Sequence, residues 1–479
     1  MRRGHFSLDD LPAWSTLNGV NFINAEVSNI DGRGNGLIAT NELVSREDDL
    51  EPVALLTVPR ELIISAEGVE EYAKENKSFR QLLDTVGHQS TRGDILLFLL
   101  YQLVLSSPDY QGGLGPSTPW TQYFSLLPSH VPTPTTWAEL ELSLLKGTSL
   151  ESAVAAKLTA LTKEFDNLRE SLASLPLWNE IISIDESITI QDWVLLDALF
   201  RSRSLGLPRS GESMVPCLDL VNHSSQATAY FDERNEGEVV LYLRKGCVVP
   251  AGSEITIDYG QEKSPAEMLF SYGFIDPSSS ARSITLLLEP LEDDPLAIAK
   301  LHAFGEPPKL KLEEGENGIP HWTAPFVYLM CLNEEDGLQF KVLQETDGSR
   351  HLKMFWQDID ITQASSTMKD LIRDHELYQV FELRAVTVIM GIVQNQLDQL
   401  LNTQNGDSTA ELVTPEVYQA VSHLRSVEIG VLRKSMQALN EQKDQLLQDD
   451  TVVEYLTMMG SEQNDPSAEG AADEEEDFS

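Results

Sequence analysis

The sequence is poor in cysteine and contains no cluster of cysteines. Only Cys217, Cys247 and Cys331 occur in 479 residues. Three scattered cysteines support neither a disulfide framework nor a Cys-rich zinc site, and no second His or Cys lies at metal-ligand spacing from His223. We therefore expect no bound metal and a reducing compartment, the cytosol or the nucleus.

Long apolar runs are also missing. The longest, Ile95 to Leu105, is interrupted by Tyr101 and Gln102 and is far shorter than the ~20 residues that cross a bilayer. It predicts a buried helix. Residues 1–14 contain no apolar stretch resembling a secretory signal, so we expect neither export nor a membrane partner.

Basic residues are scarce. The chain has 34 Lys and Arg against 76 Asp and Glu, a formal net charge of −42. The segment from Ser461 onward contains eight acidic and no basic residues, and its removal still leaves about −34. This acidity disfavours nucleic acid and favours encounter with a basic protein. The alternative is that the charge serves solubility alone.

The length predicts two or more domains. Short apolar runs between Asn21 and Pro59 predict a small β unit, and helical spacing follows from Phe79 onward. Apolar residues from Leu150 to Leu172 recur every three or four positions and predict one amphipathic helix. A second helical pattern, Trp193 to Arg203, precedes a return to strand-like alternation.

The remainder of the chain is predominantly helical in its pattern. One strand is predicted at Ile284 to Leu288, followed by long helices at Leu377 to Leu401 and Val417 to Leu446. Residues 461–479 have almost no large apolar side chains and are predicted to be disordered.

The first segment that could carry chemistry is glycine-rich. Between Asp31 and Ala39, glycines stand at alternating positions 32, 34 and 36. Such a loop lets backbone amides approach a ligand closely. Because a strand follows it, it does not match a dinucleotide-binding motif, and a plain β-turn is the alternative.

The second segment places polar residues within an apolar stretch. Arg201 and Arg203 precede a run from Val215 to Ser224 in which Asp219, Asn222 and His223 alternate with apolar residues. Buried polar groups need a hydrogen-bond partner or a ligand. Taken alone, His223 is more simply explained as a satisfied core or capping histidine.

The third segment contains two tyrosines at chain reversals. Tyr259 and Tyr272 stand thirteen residues apart, and each precedes a glycine. Tyrosines can line a narrow apolar channel while presenting a polar tip. Singly, each is consistent with a core aromatic at a turn.

These three segments, in this order, resemble the SET-domain family. The likeness is strongest to the branch of the Rubisco large-subunit methyltransferase and the fungal ribosomal lysine methyltransferases, and covers about Asn18 to Asp276. It implies an α+β SET β-fold, small β-sheets with a pseudoknot, followed by a mostly α-helical C-terminal domain. The implied domains are a SET domain at 18–276 with a helical insertion at about 80–200, a substrate-binding-like domain at 277–455 and an acidic disordered tail at 456–479.

The resemblance also implies roles for individual residues. Position 33 is Arg where the plant enzyme has an acidic residue, and Asn35 replaces an apolar one. The cofactor, S-adenosylmethionine, would be held by Arg33, Gly34, Asn35, Asn222 and His223, with Arg203 near both cofactor and substrate. Asp219, Tyr230 and Tyr272 would line the substrate side, and Tyr259 would be the catalytic residue.

The implied function is S-adenosylmethionine-dependent protein-lysine N-methylation of a non-histone protein, such as a ribosomal protein, or of another basic protein. Nothing in the sequence demands more than a monomer. Two alternatives stay open: a protein-histidine methyltransferase of the same fold, and a non-catalytic interaction protein that keeps the scaffold.

Overall fold

A computed structural model describes residues 1–2, 4–110, 112, 115–291, 293–315, 317–344, 350–403 and 411–462. The chain forms two compact units. The first comprises Met1–Leu145, Leu150–Ala281 and Ala410–Ala420, and the second comprises Lys146–Ser149, Arg282–Thr409 and Val421–Ser479.

The helices follow the predicted pattern closely. The apolar stretch at Ile95 lies in a helix in which ten consecutive residues are buried, because core surrounds it on every side. Along the chain the helices are α1 (Leu11–Leu17), α2 (Ala66–Glu75), α3 (Lys77–Val86), α4 (Thr91–Ser106), α5 (Pro119–Phe124), α6 (Glu139–Leu142), α7 (Ser149–Leu172), α8 (Pro176–Asn179), α9 (Ile190–Arg203), α10 (Pro265–Tyr272), α11 (Ala297–Phe304), α12 (Pro325–Cys331), α13 (Met368–Ile372), α14 (Tyr378–Asn402), α15 (Pro415–Leu446) and α16 (Asp450–Glu462).

The strands of the first unit form several small sheets, as the resemblance implied. They are β1 (Asn21–Phe22), β2 (Ala25–Ile30), β3 (Gly34–Ala39), β4 (Leu43–Val44), β5 (Ala54–Val58), β6 (Ser204–Leu207), β7 (Gly211–Met214), β8 (Ala229–Glu233), β9 (Val239–Leu243), β10 (Val248–Val249) and β11 (Glu254–Ile255). Their orders are β1-β5-β9-β8, β11-β3-β2, β10-β4 and β6-β7.

Strands from both ends of the unit pair with one another. β11 runs antiparallel to β3, with Glu254 opposite Ile38, although more than 200 residues separate them. The helices α2 to α9 occupy the intervening chain. This pairing brings the glycine-rich hairpin beside the segment that contains Tyr259.

Backbone hydrogen bonds also join the second segment, here called the Asn-His segment after Asn222 and His223, to the chain just after β11. Ile257 donates its backbone N–H to Asn222 O, and Ser224 N–H donates to Ile257 O, both at 3.0 Å. His223 and Ile257 thereby form a parallel bridge. All three sequence segments therefore meet in one part of the first unit.

The second unit contains both sheets and helices. The predicted strand at Ile284 is present as β12 (Ser283–Leu287), and further strands are β13 (Lys309–Glu314), β14 (Pro320–Thr323), β15 (Leu338–Gln344), β16 (Arg350–Trp356) and β17 (Ile359–Asp360). They form two three-stranded sheets, β12-β13-β14 and β15-β16-β17, which the sequence did not predict beyond β12. The two predicted long helices are present as α14 and α15.

The C-terminal helix α16 extends past residue 456, where the sequence places the start of the tail. It is anchored by buried Val452 and by Tyr455, whose hydroxyl accepts a hydrogen bond of 2.9 Å from Arg384. Residues 463–479, predicted to be disordered, lie outside the described residues. Among the helices that the structure describes, none combines the length and apolar character of a membrane span.

Candidate functional site

The glycine-rich segment forms a tight β-hairpin. β2 pairs with β3 in a register that sets Ile30 opposite Gly34, and residues 31–33 make the turn. Gly32 and Gly34 have backbone φ angles of 70° and 74°. Residues with a Cβ atom rarely adopt this left-handed conformation. The space beside both glycines is open, so the turn leaves room for a ligand against its backbone.

Gly36 lies where the hairpin touches the other segments. A Cβ at this position would come within 2.7 Å of Asn222 Nδ2, 2.8 Å of Ile30 Cγ1 and 2.9 Å of Glu254 Oε1. These distances are shorter than real Cβ contacts. Only glycine therefore lets the hairpin approach this closely.

The Asn222 side chain joins the hairpin to β11. Its Nδ2 donates to Glu254 Oε1 at 2.8 Å and to the Asn35 carbonyl oxygen at 3.3 Å. One amide group thus bridges two of the three sequence segments. The backbone at Asn35 is held in place by Asn222.

Arg33 extends from the hairpin across the same region. Its guanidinium pairs with Glu254 Oε2 at 2.5 Å and donates to the His223 carbonyl oxygen. The side chain remains partly exposed. Arg33 therefore links the hairpin to both the Asn-His segment and β11.

His223 is a buried neutral imidazole. Burial lowers its pKa, against the opposing influence of Asp276 and Asp258. Its Nδ1 accepts the backbone N–H of Tyr259 at 3.1 Å, and its Nε2 lies 3.3 Å from Asp276 Oδ2. Because Nδ1 accepts, the ring proton belongs on Nε2, where Asp276 can accept it. His223 therefore fixes the backbone at Tyr259.

Tyr259 is held at both ends. Its hydroxyl donates to the Val221 carbonyl oxygen at 2.8 Å, while its backbone N–H binds His223. Burial raises the pKa of this phenol well above its ordinary value. Tyr259 is therefore a protonated hydrogen-bond donor at neutral pH, and its hydroxyl has no tendency to act as a base.

Tyr259 and Tyr272 form an aromatic wall, and Lys263 lies against it. The rings of Tyr259 and Tyr272 lie 4.6 Å apart between centroids. Lys263 Nζ donates to the Tyr259 carbonyl oxygen at 2.6 Å and lies 5.7 Å from the Tyr272 ring centroid. The C-terminus of α10, immediately after Tyr272, turns through Gly273 at a φ of 83°.

Tyr259, Lys263 and Tyr272 line a cavity of about 140 Å³. Its walls combine aromatic, cationic and carboxylate groups. The lining residues are Ser202, Arg203, Ser204, Leu205, Gly206, Leu218, Asp219, Val221, Phe231, Ile257, Asp258, Tyr259, Lys263 and Tyr272. Two lining residues adjoin Asn222, which binds the hairpin. Val221 precedes it in the chain, and Ile257 donates its backbone N–H to the Asn222 carbonyl oxygen. The cavity and the glycine-rich hairpin therefore belong to one region.

Asp219 and Arg203 form the polar floor of the cavity. Arg203 Nη1 donates to the Asp219 carbonyl oxygen at 2.9 Å. The same nitrogen lies 3.5 Å from Oδ2 of the Asp219 carboxylate. Tyr123 donates its hydroxyl to the same carboxylate. Burial raises the pKa of Asp219, while Arg203 opposes that rise. In the part of the chain that the structure describes, the buried Arg203 Nε has no hydrogen-bond partner.

Tyr230 does not line this cavity. It lies on β8 opposite Tyr242, with the rings 5.6 Å apart, and is 37% exposed. Its neighbour Phe231 faces the cavity instead, because successive side chains of a strand point to opposite faces. The structure thus brings together the other predicted site residues and separates Tyr230 from them.

Known proteins show a consistent likeness. No family model matches the chain. It is 30% identical over 438 residues to SET domain-containing protein 8 of Schizosaccharomyces pombe, covering 90% of this chain and 94% of that protein. The chain belongs to the SET-domain family.

Two further proteins match over shorter stretches. The Rubisco large subunit N-methyltransferase of Nicotiana tabacum is 29% identical over 232 residues, 45% of this chain and about half (46%) of that enzyme. The actin-histidine N-methyltransferase of Gallus gallus is 23% identical over 340 residues, 68% of this chain and 53% of that enzyme.

A solved structure shares the fold over nearly the whole chain. The SET domain of LSMT bound to lysine and AdoHcy superposes with a TM-score of 0.64 at 21% identity, covering 96% of this chain and 97% of that one. The resemblance inferred from the three segments and the α+β fold class are therefore confirmed.

Several residues of this SET-domain site were not singled out from the sequence. The local sequence predicts only an exposed strand residue at Glu254. Tyr123 lies 96 positions before Asp219, the residue that it binds, so no local pattern connects the two. Lys263 and Asp276 occur in polar loops without a motif. The proximity of Lys263 to Tyr259 in sequence was the one available signal.

Arg201 binds the end of α10, the helix that carries Tyr272 of the aromatic wall. Its guanidinium donates to the Phe270 carbonyl oxygen in the last turn of α10 and to Thr135 Oγ1 at 2.7 Å. Its Nε donates to buried Asp197 at 2.9 Å. The final carbonyls of a helix lack partners within it, so Arg201 caps the turn that carries Tyr272.

Replacing Arg201 with Met should therefore displace Tyr272. Misplacement of this kind lowers turnover by about 10- to 10²-fold, measured as kcat on a verified substrate. Arg92→Met is the matched control, because Arg92 contacts the same Asp197 but does not reach α10. It should lower Tm and leave kcat of the folded protein unchanged. Equal loss of kcat in both variants would contradict a specific role for Arg201.

Proposed function

We propose that this protein is an S-adenosylmethionine-dependent protein-lysine N-methyltransferase acting on a basic, non-histone protein. One observation carries the proposal. Tyr259 is bonded to Val221 and His223, the two residues that flank Asn222, while Asn222 holds the glycine-rich hairpin. A cofactor loop and an amine channel would thus share one wall.

The residues of the hairpin region suit S-adenosylmethionine. The open space beside Gly34 admits a ligand to the backbone. Arg203 Nε, a buried donor without a partner among the described residues, suits a carboxylate acceptor. When bound, the cofactor would supply a methyl group on a sulfonium that is already an activated leaving group. The residues that would hold it are Arg33, Gly34, Asn35, Asn222, His223 and Arg203.

The cavity suits a lysine side chain entering from outside. Tyr259, Tyr272 and Phe231 provide apolar faces for the methylene groups, and the polar floor lies at Asp219 and Arg203. A lysine amine with a pKa near ~10.4 must lose its proton before it can accept a methyl group. Removal from water and the cations Arg203 and Lys263 favour that loss, whereas the carboxylates of Asp219 and Asp258 oppose it.

The chain's contribution to the reaction is mainly positioning. A correctly aligned nucleophile can lower a barrier by roughly 7–11 kcal/mol. Tyr259 is clamped by two hydrogen bonds and is not ionised. Its role is to orient the amine and to exclude water, and no general base is required of it.

The proposal is tested with labelled S-adenosylmethionine. Native protein is incubated with the methyl-labelled cofactor and a cell lysate depleted of small metabolites, beside the variant Asn222→Ala. We expect transfer to a small number of basic protein bands with native protein alone. Cofactor binding measured by calorimetry without any transfer would favour a non-catalytic SET scaffold.

A histidine target is the second candidate. It is supported by the 23% identity to an actin-histidine N-methyltransferase over 68% of this chain. An imidazole would lie against the same aromatic residues, Tyr259, Tyr272 and Phe231, that would flank a lysine side chain. Fragment spectra of the labelled peptide assign the methyl group to one of the two.

The acidic composition supports electrostatic docking of the protein substrate. With a net charge of −42, the enzyme should attract a basic partner at low ionic strength. Raising salt from 20 to about 150 mM shortens the Debye length to roughly 8 Å and should raise the apparent KM severalfold while kcat stays constant. A KM independent of salt would exclude electrostatic docking.

The setting proposed for this activity follows from composition. Three scattered cysteines suit the cytosol or the nucleus. We propose a monomer that engages neither nucleic acid nor membrane and carries no metal.

A further inference from the structure

Two adjoining cavities lie in the second unit, remote in sequence from the SET-domain motifs. Their volumes are about 240 and 380 Å³, and both have Lys369 and Gln442 in their walls. Trp322 lines the first cavity, and Tyr378 with Glu382 lines the second. Together they form a groove with aromatic and acidic walls, here called the Lys369 groove.

The ammonium group of Lys369 lies among these walls. Its Nζ is 3.3 Å from Glu382 Oε1, 5.6 Å from the Trp322 ring centroid and 5.3 Å from that of Tyr328. Aromatic faces and a carboxylate around one cation are the groups by which proteins recognise alkylammonium ligands. The groove therefore already holds such a cation, supplied by the chain itself.

Glu382 is prepared for a cation by its own surroundings. It is 6% exposed, and its Oε1 accepts hydrogen bonds from Tyr328 at 2.9 Å and Tyr378 at 2.6 Å. These two hydroxyls fix the carboxylate in place. A buried carboxylate is costly without a positive partner, and Lys369 supplies one.

Lys369 is poorly suited to be a permanent partner. Its side chain is 48% exposed, whereas that of Glu382 is 8% exposed, so the lysine can turn into solvent while the carboxylate stays in the groove. An incoming ammonium could displace it into solvent at small cost. The carboxylate and the aromatic rings would remain in position.

A second, independent feature also points to a ligand. Ser435 lines the groove, is 3% exposed, and its Oγ has no hydrogen-bond partner among the described residues. Buried hydroxyls are normally satisfied. Trp322, by contrast, is fixed by a 3.2 Å hydrogen bond from Nε1 to Gln442. The groove thus combines an aromatic wall with a buried hydroxyl that has no partner in the part of the chain that the structure describes.

We infer that the Lys369 groove binds the alkylammonium side chain of a lysine, in its methylated form, on a partner protein, with Lys369 as an internal placeholder that the ligand displaces. The ligand's ammonium takes the position between Glu382 and Trp322. Its peptide lies along the groove past Ser435. This binding site does not depend on the proposed methyl transfer.

The test uses an end-blocked peptide containing one trimethyllysine, and the same peptide with norleucine in its place. Affinities for the full-length protein are measured by calorimetry, without S-adenosylmethionine. Lys369→Met removes the competing ammonium and should tighten binding of the trimethyllysine peptide by about two- to fivefold. Trp322→Leu and Glu382→Gln should each weaken it. The norleucine peptide should not bind any of these proteins.

Lys341→Met is the matched control. Lys341 is also an exposed lysine of the second unit, 4.8 Å from the Phe355 ring centroid and 4.0 Å from Asp358, but it lines neither cavity of the groove. This variant should bind as native protein does. Lys369→Met also leaves the buried Glu382 carboxylate without its cation, which lowers stability, so the melting temperature of the variant is measured to verify folding. Binding unchanged or weakened in folded Lys369→Met, or equal binding of the norleucine peptide, would overturn the inference.

Discussion

Replacing Gly36 with Ala should lower the affinity for S-adenosylmethionine by about 10- to 10²-fold. The added Cβ would lie within 3 Å of Asn222, Ile30 and Glu254, and overpacking of this kind costs ~1–3 kcal/mol. Separation of the hairpin from Asn222 relieves the clash, and that separation releases the Asn35 backbone. The expected measurement is a calorimetric Kd for the cofactor.

Gly391→Ala provides the matched control for this substitution. Gly391 lies in α14 with nothing within 4 Å of an added Cβ. Alanine is favoured over glycine inside a helix by roughly 0.5–1 kcal/mol, so this variant should be slightly more stable and bind the cofactor normally. Cofactor affinity in Gly36→Ala equal to that of Gly391→Ala would show that the hairpin does not hold the cofactor.

Replacing Tyr259 with Phe should reduce turnover by about 10²-fold while the cofactor Kd changes by less than about twofold. The loss follows because the hydrogen bond of 2.8 Å from the hydroxyl to the Val221 carbonyl oxygen orients a ring that lines the cavity. The backbone bond to His223 remains, so the cofactor side is preserved. Single-turnover kinetics on an identified substrate separate the two effects.

Tyr230→Phe is the corresponding control. Tyr230 is a tyrosine of the same unit that lies on β8, outside the cavity, so loss of its hydroxyl should leave turnover unchanged. A strong effect of Tyr230→Phe together with none of Tyr259→Phe would restore Tyr230 to the substrate site and remove Tyr259 from it.

The contrast between Tyr230 and Phe231 shows where sequence reasoning stops. Which of these two adjacent aromatic residues faces inward depends on a one-residue register of β8, a strand that the sequence did not predict. Pairing of Tyr230 with Tyr242 fixes that register. Tyrosine, being amphipathic, suits either face, and so its chemistry gave no further guidance.

Glu254 illustrates a second limit. Its role arises because β11 pairs with β3 across more than 200 residues, which sets its carboxylate between Arg33 and Asn222. The order of the three motifs indicated that they belong together. The groups that join them are set by tertiary pairing and carry no local signal.

The second unit was predicted least completely. α14 and α15 have long periodic patterns, which identify helices well. β13, by contrast, has only Leu310 and Leu312 as buried apolar residues among lysines and glutamates. Two apolar positions are too few to separate a strand from an exposed loop, and the sheets of this unit depend on partners distant in sequence.

The most direct test of the account is the identity of the methylated atom. Native protein and Tyr259→Phe are incubated with trideuteromethyl S-adenosylmethionine and the substrate found by labelling, and the product peptide is fragmented in a mass spectrometer. We predict the heavy methyl group on a lysine Nζ, formed by native protein and nearly absent with the variant. A heavy methyl group on an imidazole nitrogen, or equal amounts from both proteins, would contradict it.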